Sequence, residues 1–258
     1  MFQTAARIPD PSRLSPVHAA FASDAEDQAS SRRISTSLER IQQGVDIQRR
    51  IVRQGDIVYQ AGKAFTHLFV VNTGMFKVVN LSRDGREQIV GLKYRGDWMG
   101  FDGIADHRHD CDAIAMDTGE IWSISYESLL LAGAREPALM AELHRAMSRE
   151  IARDRGSLIS VCTLPADARV ADFLCNWADA LACRGLRTDQ VTMRMTRAEI
   201  GNYLGLTLET VSRALSRLDR DGLIRFADKG RRELRLPDLA ALGEFVRQAV
   251  EPASATLQ

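Results

Sequence analysis

Cysteine is scarce in this chain, and its copies are scattered. Cys111, Cys162, Cys175 and Cys183 form no CxxC pair and no regular framework, which argues against a disulfide scaffold and for individually placed, reduced thiols. Long apolar runs are missing as well. No stretch approaches the length of a membrane span, and the N-terminus lacks the basic segment and apolar core of a secretory signal. The expectation is a cytoplasmic protein with no membrane partner. An excess of one charge sign is also absent, because 34 Lys and Arg balance 34 Asp and Glu. Any attraction for a polyanion must therefore be local. Catalytic signatures are missing too: there is no glycine-rich phosphate loop, no paired nucleophile and base, and no HExxH, so the chain reads as no enzyme.

What is present is a chain of 258 residues, 45% hydrophobic, enough for two ordinary domains. Residues 1–37 are rich in Ala, Ser, Asp, Pro and Arg without a sustained apolar period, and read as a flexible arm. Across 38–133, short β-branched and apolar runs such as Leu68-Phe69-Val70-Val71 and Ile121-Trp122-Ser123-Ile124 alternate with turn residues such as Thr73-Gly74 and Gly96-Asp97. That pattern predicts a β-barrel or jelly roll, with a hairpin at Ser82 to Arg86. The period then changes. Met140, Leu143, Met147, Ile151, Leu158 and Val161 fall at helical spacing between Pro137 and Pro165, predicting one long helix within 134–163. Its other face is charged, so the apolar stripe needs partners: the barrel at one end and a second copy of the helix at the other, which makes a homodimer.

The segment 164–246 carries the function, and 247–258 reads as a tail. Thr196-Arg197-Ala198-Glu199 is a capping box that opens a short helix. Gly205 follows, where a tight turn needs a left-handed residue. Thr207 then caps a second helix with Val211, Leu215 and Leu218 on its inner face. Two short helices around a glycine turn form a helix-turn-helix, and double-stranded DNA is the expected partner. On the outer face Arg213 suits guanine, Glu209 suits a cytosine amino group, and Ser212 suits either base or phosphate. Being four residues apart, Glu209 and Arg213 are equally suited to a plain surface ion pair. Leu223 to Phe226 and Glu233 to Leu236 read as a hairpin wing. From Gly205 to Arg235, eight basic residues outnumber five acidic ones, a local footprint that the neutral average conceals. Thr196, Arg197, Thr207, Thr210, Ser216, Arg217, Lys229, Arg231 and Arg232 are the candidates for backbone contacts.

The stretch from Met195 to Arg213 resembles the Crp/Fnr superfamily of bacterial transcription regulators, and the likeness extends over roughly residues 45–245. It implies an α+β architecture: a cyclic-nucleotide-binding-type jelly roll, a long dimerisation helix and a C-terminal winged helix-turn-helix. In the Fnr-like branch, Glu, Ser and Arg of E-x-x-S-R read each half of a TTGAT-type inverted repeat. Those positions are Glu209, Ser212 and Arg213 here, and Leu208 stands where the Crp branch has Arg. RNA polymerase is the further partner that the resemblance implies. The family's cyclic AMP pocket uses a Gly-Glu pair and an Arg-Ser pair. This chain has Gly96-Asp97-Trp98-Met99-Gly100 and His109-Asp110-Cys111-Asp112-Ala113 instead, an acidic loop that disfavours a phosphate, so cyclic AMP is not expected. An Fnr-type iron-sulfur cluster needs a group of N-terminal cysteines, and the first cysteine here is Cys111, so that cofactor is not expected either.

Weaker signals remain open. His107, His109 and Cys111 alternate within an Asp-rich stretch and are candidate ligands for a divalent metal or, for one His, a haem iron; a polar surface loop is the plain alternative. Cys183, beside Arg184 and near Arg187, is a candidate exposed thiol with a lowered pKa, or an ordinary helix-end cysteine. Cys162 and Cys175 read as small packing residues. A metal-, haem- or thiol-responsive regulator of the same fold is the alternative function, and a ligand-binding module whose C-terminal helices meet protein instead of DNA is a third.

Overall fold

The computed structural model describes residues 24–82, 85–227, 230 and 232–250. It begins with a helix, α1 (Asp24–Gly44), through most of whose first two-thirds the sequence predicts a flexible arm. The reason is a sparse stripe: Ile34, Leu38 and Ile41 recur at helical spacing in a Ser- and Arg-rich background, and they pack beside Trp98, Leu143 and Ala146. Residues 1–23 of the predicted arm lie outside the described residues.

The barrel follows as β1 (Gln48–Val52), β2 (Ile57–Tyr59), β3 (His67–Thr73), β4 (Phe76–Leu81), β5 (Glu87–Lys93), β6 (Trp98–Met99), β7 (Cys111–Ala115) and β8 (Gly119–Ser125). Among the described residues, one sheet has the order β1-β8-β3-β6 and the other β2-β7-β4-β5, the double-sheet arrangement expected of a jelly roll. Strand alternation sorts the side chains. Phe69, Val71, Met99 and Ile121 of the first sheet meet Val58 and Ala113 of the second, whereas Leu68, Val70, Trp122 and Ile124 face the helices. β4 and β5 pair antiparallel, and Ser82 and Arg86 close the predicted hairpin through Ser82 N–H to Arg86 O at 2.9 Å. Residues 83 and 84 at its tip lie outside the described residues.

Two helices leave the barrel: α2 (Tyr126–Arg135), which the sequence pattern does not announce, and α3 (Pro137–Thr163). The predicted dimer stripe divides along α3. Leu143 is buried, and Met140 and Met147, both half-buried, pack on the same intrachain cluster, so these three contribute to the chain's own core. Gly133 of α2 makes this close approach feasible, because a Cβ there would lie 2.5 Å from Met140 Cγ. Residues 151–159, including Ile151 and Leu158, are exposed throughout.

The C-terminal part comprises α4 (Ala166–Ala182), β9 (Gln190–Thr192), α5 (Arg197–Leu204), α6 (Leu208–Arg220), β10 (Arg225–Phe226), β11 (Glu233–Arg235) and α7 (Leu239–Val250). β10 and β11 pair antiparallel as the predicted wing, and β9 joins them as a third strand. α7 continues to Val250 into the predicted tail, because Leu242 and Val246 are buried in the same cluster as α4 and α6. Residues 251–258 lie outside the described residues.

Candidate nucleic-acid interface

Each turn of the helix-turn-helix is specified locally. Thr196 Oγ1 accepts from Glu199 N–H at 3.1 Å, while Glu199 Oε2 accepts from Thr196 N–H at 2.9 Å, closing the predicted box at the start of α5. Gly205 ends α5 at φ 65°, ψ 39°, a left-handed conformation in which a side chain is disfavoured. Gly201 is needed for a different reason: the chain returns so closely that a Cβ there would stand 2.6 Å from Leu206 O. Thr207 caps α6 by accepting from Thr210 N–H at 3.2 Å, worth about 1 kcal/mol to the helix. Val211, Ala214, Leu215 and Leu218 are buried beneath it.

The opposite face is presented outward. Glu209 and Arg213 are exposed and Ser212 is half-buried. Glu209 does not form the surface ion pair its spacing allows. Its carboxylate is held below the usual range chiefly by backbone N–H at the helix start and by the Thr207 hydroxyl, and Arg213 has no ion pair among the described residues. The guanidinium therefore remains available for a ligand.

The predicted backbone-contact set is more varied. Arg217 Nη1 lies 2.8 Å from Asp167 Oδ2, so this arginine is already paired within the chain. Arg197 stacks 5.7 Å from the Phe226 ring centroid, bracing α5 against the wing. The Thr196 hydroxyl is engaged by Glu199 on both sides. Thr207 and Thr210 share a hydroxyl contact at 3.0 Å, Ser216 is half-buried and Arg232 is exposed. Lys229 and Arg231 lie outside the described residues.

In the barrel, the structure separates the residues grouped as metal or haem ligands. His109 is buried and stacks on Tyr59 with centroids 4.1 Å apart. His107 is exposed on a left-handed backbone, φ 55°, and that reversal breaks the alternation which would have aligned the three side chains. No cluster able to hold a metal ion occurs among the described residues. Burial pushes the Cys111 thiol up to about 11. His109 and Tyr59 instead line a cavity of about 270 Å³ with Phe69, Lys63 and His67.

Cys183 follows the second of its two readings, a half-buried cysteine at the end of α4. Burial and then Asp27 raise its pKa, overcoming the adjacent Arg184, so it is not an activated thiolate. Cys162 is exposed while Cys175 is buried, so only the latter is a packing residue.

One constellation had no clear sequence signal beyond a Gly-Asp turn. Asp97 does not act as a free acidic loop residue. Its carboxylate accepts from Arg153 of α3 at 2.8 Å, from Arg184 after α4 at 2.9 Å, and from Tyr94 N–H at 3.0 Å. Burial alone would raise its pKa, but the two guanidinium groups hold it below the ordinary value. Arg184 also lies over the Tyr94 ring at 5.0 Å. Barrel, long helix and the C-terminal part thus meet on one carboxylate.

Residues 49–133 match the cyclic nucleotide-binding domain model, and residues 168–245 match the Crp-like helix-turn-helix domain model. The chain is 36% identical over 197 residues to the transcriptional regulatory protein btr of Bordetella pertussis, covering 76% of this chain and 80% of that one. It is 33% identical over 181 residues to the fumarate and nitrate reduction regulatory protein of Escherichia coli, covering 70% and 72%. The structure of FixK2 from Bradyrhizobium japonicum superposes with a TM-score of 0.70 at 26% identity, over 82% of this chain and all of the other. No described helix is long and apolar enough to cross a membrane. With an exposed recognition face on a capped helix-turn-helix, a jelly roll ahead of it and these relatives, the chain belongs to the Crp/Fnr family of DNA-binding transcription regulators, which are not enzymes.

Proposed function

We propose that the chain acts in the cytoplasm as a homodimer that reads a TTGAT-type inverted repeat and then contacts RNA polymerase. Glu209, Ser212 and Arg213 read bases, and Thr207, Thr210, Ser216, Lys229, Arg231 and Arg232 engage the phosphates, with Arg217 joining them once it leaves Asp167. The observation that carries this reading is the outer face of α6, where Arg213 is exposed and unpaired at the end of the helix that enters a major groove. Leu208, also exposed at 48%, offers a thymine methyl group an apolar contact in place of the Crp-branch arginine. Pairing uses the bare stretch of α3. Neither cyclic AMP nor an Fnr-type cluster serves as the effector: Asp97 is occupied by Arg153 and Arg184, and no cysteine precedes Cys111.

Fluorescence anisotropy on the repeat and on a scrambled duplex at fixed salt tests the reading. Wild type should prefer the repeat, and Arg213→Ala should weaken that complex by about 1–3 kcal/mol while relaxing the preference at one base position. Equal binding of wild type to both duplexes, with or without small-molecule extracts, would sink it.

A further inference from the structure

The DNA-binding part does not hang freely from the end of α3. Met75, Val79, Ile89 and Met116 of the barrel share one buried cluster with Met193, Met195 and the cores of α4, α5 and α6. Such a cluster holds two bodies together, but apolar contact is non-directional and does not by itself set their rotation.

Direction comes from α5. β5 is the outer strand of β2-β7-β4-β5, so one of its edges lacks a strand partner. Asn202 occupies that edge as a strand would. Its Oδ1 accepts from Ile89 N–H at 2.6 Å, and its Nδ2 donates to Glu87 O at 2.6 Å. The Gln88 side chain donates in return to the Asn202 carbonyl. One turn earlier on α5, Glu199 accepts from Lys77 Nζ of β4 at 2.7 Å. The same Glu199 closes the capping box, so the ion pair grips the helix at its fixed end. None of these contacts covers α6, since Glu209 and Arg213 stay exposed. The clamp positions the recognition helix without masking it.

A rigid path therefore runs from α3 through the barrel to β5, through Asn202 to α5, and across the Gly205 turn to α6. We propose that Asn202, supported by Lys77, is a positioning residue that sets the relative placement of the two α6 helices, and so determines which half-site spacing the dimer accepts. The inference rests on the inverted-repeat reading above. Two recognition helices meet successive major grooves about one helical turn apart, so a small rotation of each DNA-binding part changes the spacing that fits. It does not change what a single α6 reads.

Full-length wild type, Asn202→Ala and Lys77→Ala are compared on three duplexes: the inverted repeat at its preferred spacing, the same repeat lengthened by one base pair, and a single half-site. Amide exchange at Ile89 is followed in parallel. In Asn202→Ala, Ile89 should exchange faster and single half-site affinity should match wild type. The preference for the shorter over the lengthened repeat should fall about fivefold, the scale of one or two lost hydrogen bonds; Lys77→Ala should lower it less. Folded variants that keep the wild-type spacing preference overturn the inference, as does a half-site affinity that falls in step with the full site. Should Asn202→Ala fail to fold, Lys77→Ala decides by the same ratio. A wild type without any spacing preference removes the inverted-repeat reading itself, and this inference with it.

Discussion

The two halves of α3 carry one continuous apolar stripe in opposite surroundings. In the first half Leu139, Leu143 and Ala146 are buried, under α1, α2 and the barrel face that bears Trp98 and Trp122. In the second, Ile151 is 48% exposed and Leu158 is 64% exposed. A run of exposed aliphatic side chains on an otherwise charged helix marks a surface awaiting a partner. Periodicity thus announces that a helix has an apolar face, and it is silent on whether the same chain or another covers it. Arg153 is the instructive exception. It lies in the bare half yet is tied to the barrel through Asp97, so the exposed stretch is anchored by charge where it is not anchored by packing.

The largest loss is expected at that anchor. Asp97→Ala leaves Arg184, with a side chain only 6% exposed, without its carboxylate, and chain stability in urea should fall by about 3–5 kcal/mol. The half-exposed Arg153 adds little to that loss. The pH dependence has a definite sign. Because Asp97 has a depressed pKa in the folded chain, its contribution is present above the ordinary aspartate pKa and is lost as pH falls through the folded value. Wild type should therefore lose stability on acidification, and Asp97→Ala should lack that part of the loss. Equal acid sensitivity in the two proteins would contradict the assignment.

Leu143→Ala comes next, at about 2–5 kcal/mol, with a midpoint shift in urea that should persist when the chain is diluted into its monomeric range. A shift that vanishes there would place Leu143 at an interface between copies. Leu158→Asp has the smallest effect on the folded chain itself, within about 0.5 kcal/mol, but it should turn a dimer into a monomer in sedimentation. A Leu158→Asp protein that still sediments as a dimer would deny the bare half its role.

Legibility followed the range of the interactions. Thr196, Glu199, Gly205 and Thr207 satisfy backbone groups within a turn of themselves, so the helix-turn-helix and the outward placement of Glu209 and Arg213 could be read directly. The barrel strands and the Ser82 to Arg86 hairpin were legible for the same reason. α1 was hidden because only Ile34, Leu38 and Ile41 carry its stripe among polar residues. α2 and the end of α7 were missed because their apolar residues depend on neighbours distant in sequence. His107, His109 and Cys111 misled because alternation holds only along an extended strand, and His107 reverses the backbone. Cys183 is a helix-end cysteine, as one of its two readings expects, and burial outweighs the neighbouring Arg184 at its thiol.

Local hydrogen bonding and side-chain period were enough to specify the order of the units, the capped helix pair and the identity of the side chains on the outer face of α6. Only the tertiary structure decided which half of α3 is free, where Asp97 spends its charge and how Asn202 ties α5 to the edge of β5. Those outcomes depend on contacts between residues 56 to 115 positions apart, and no local pattern encodes which distant groups will share one carboxylate or one strand edge.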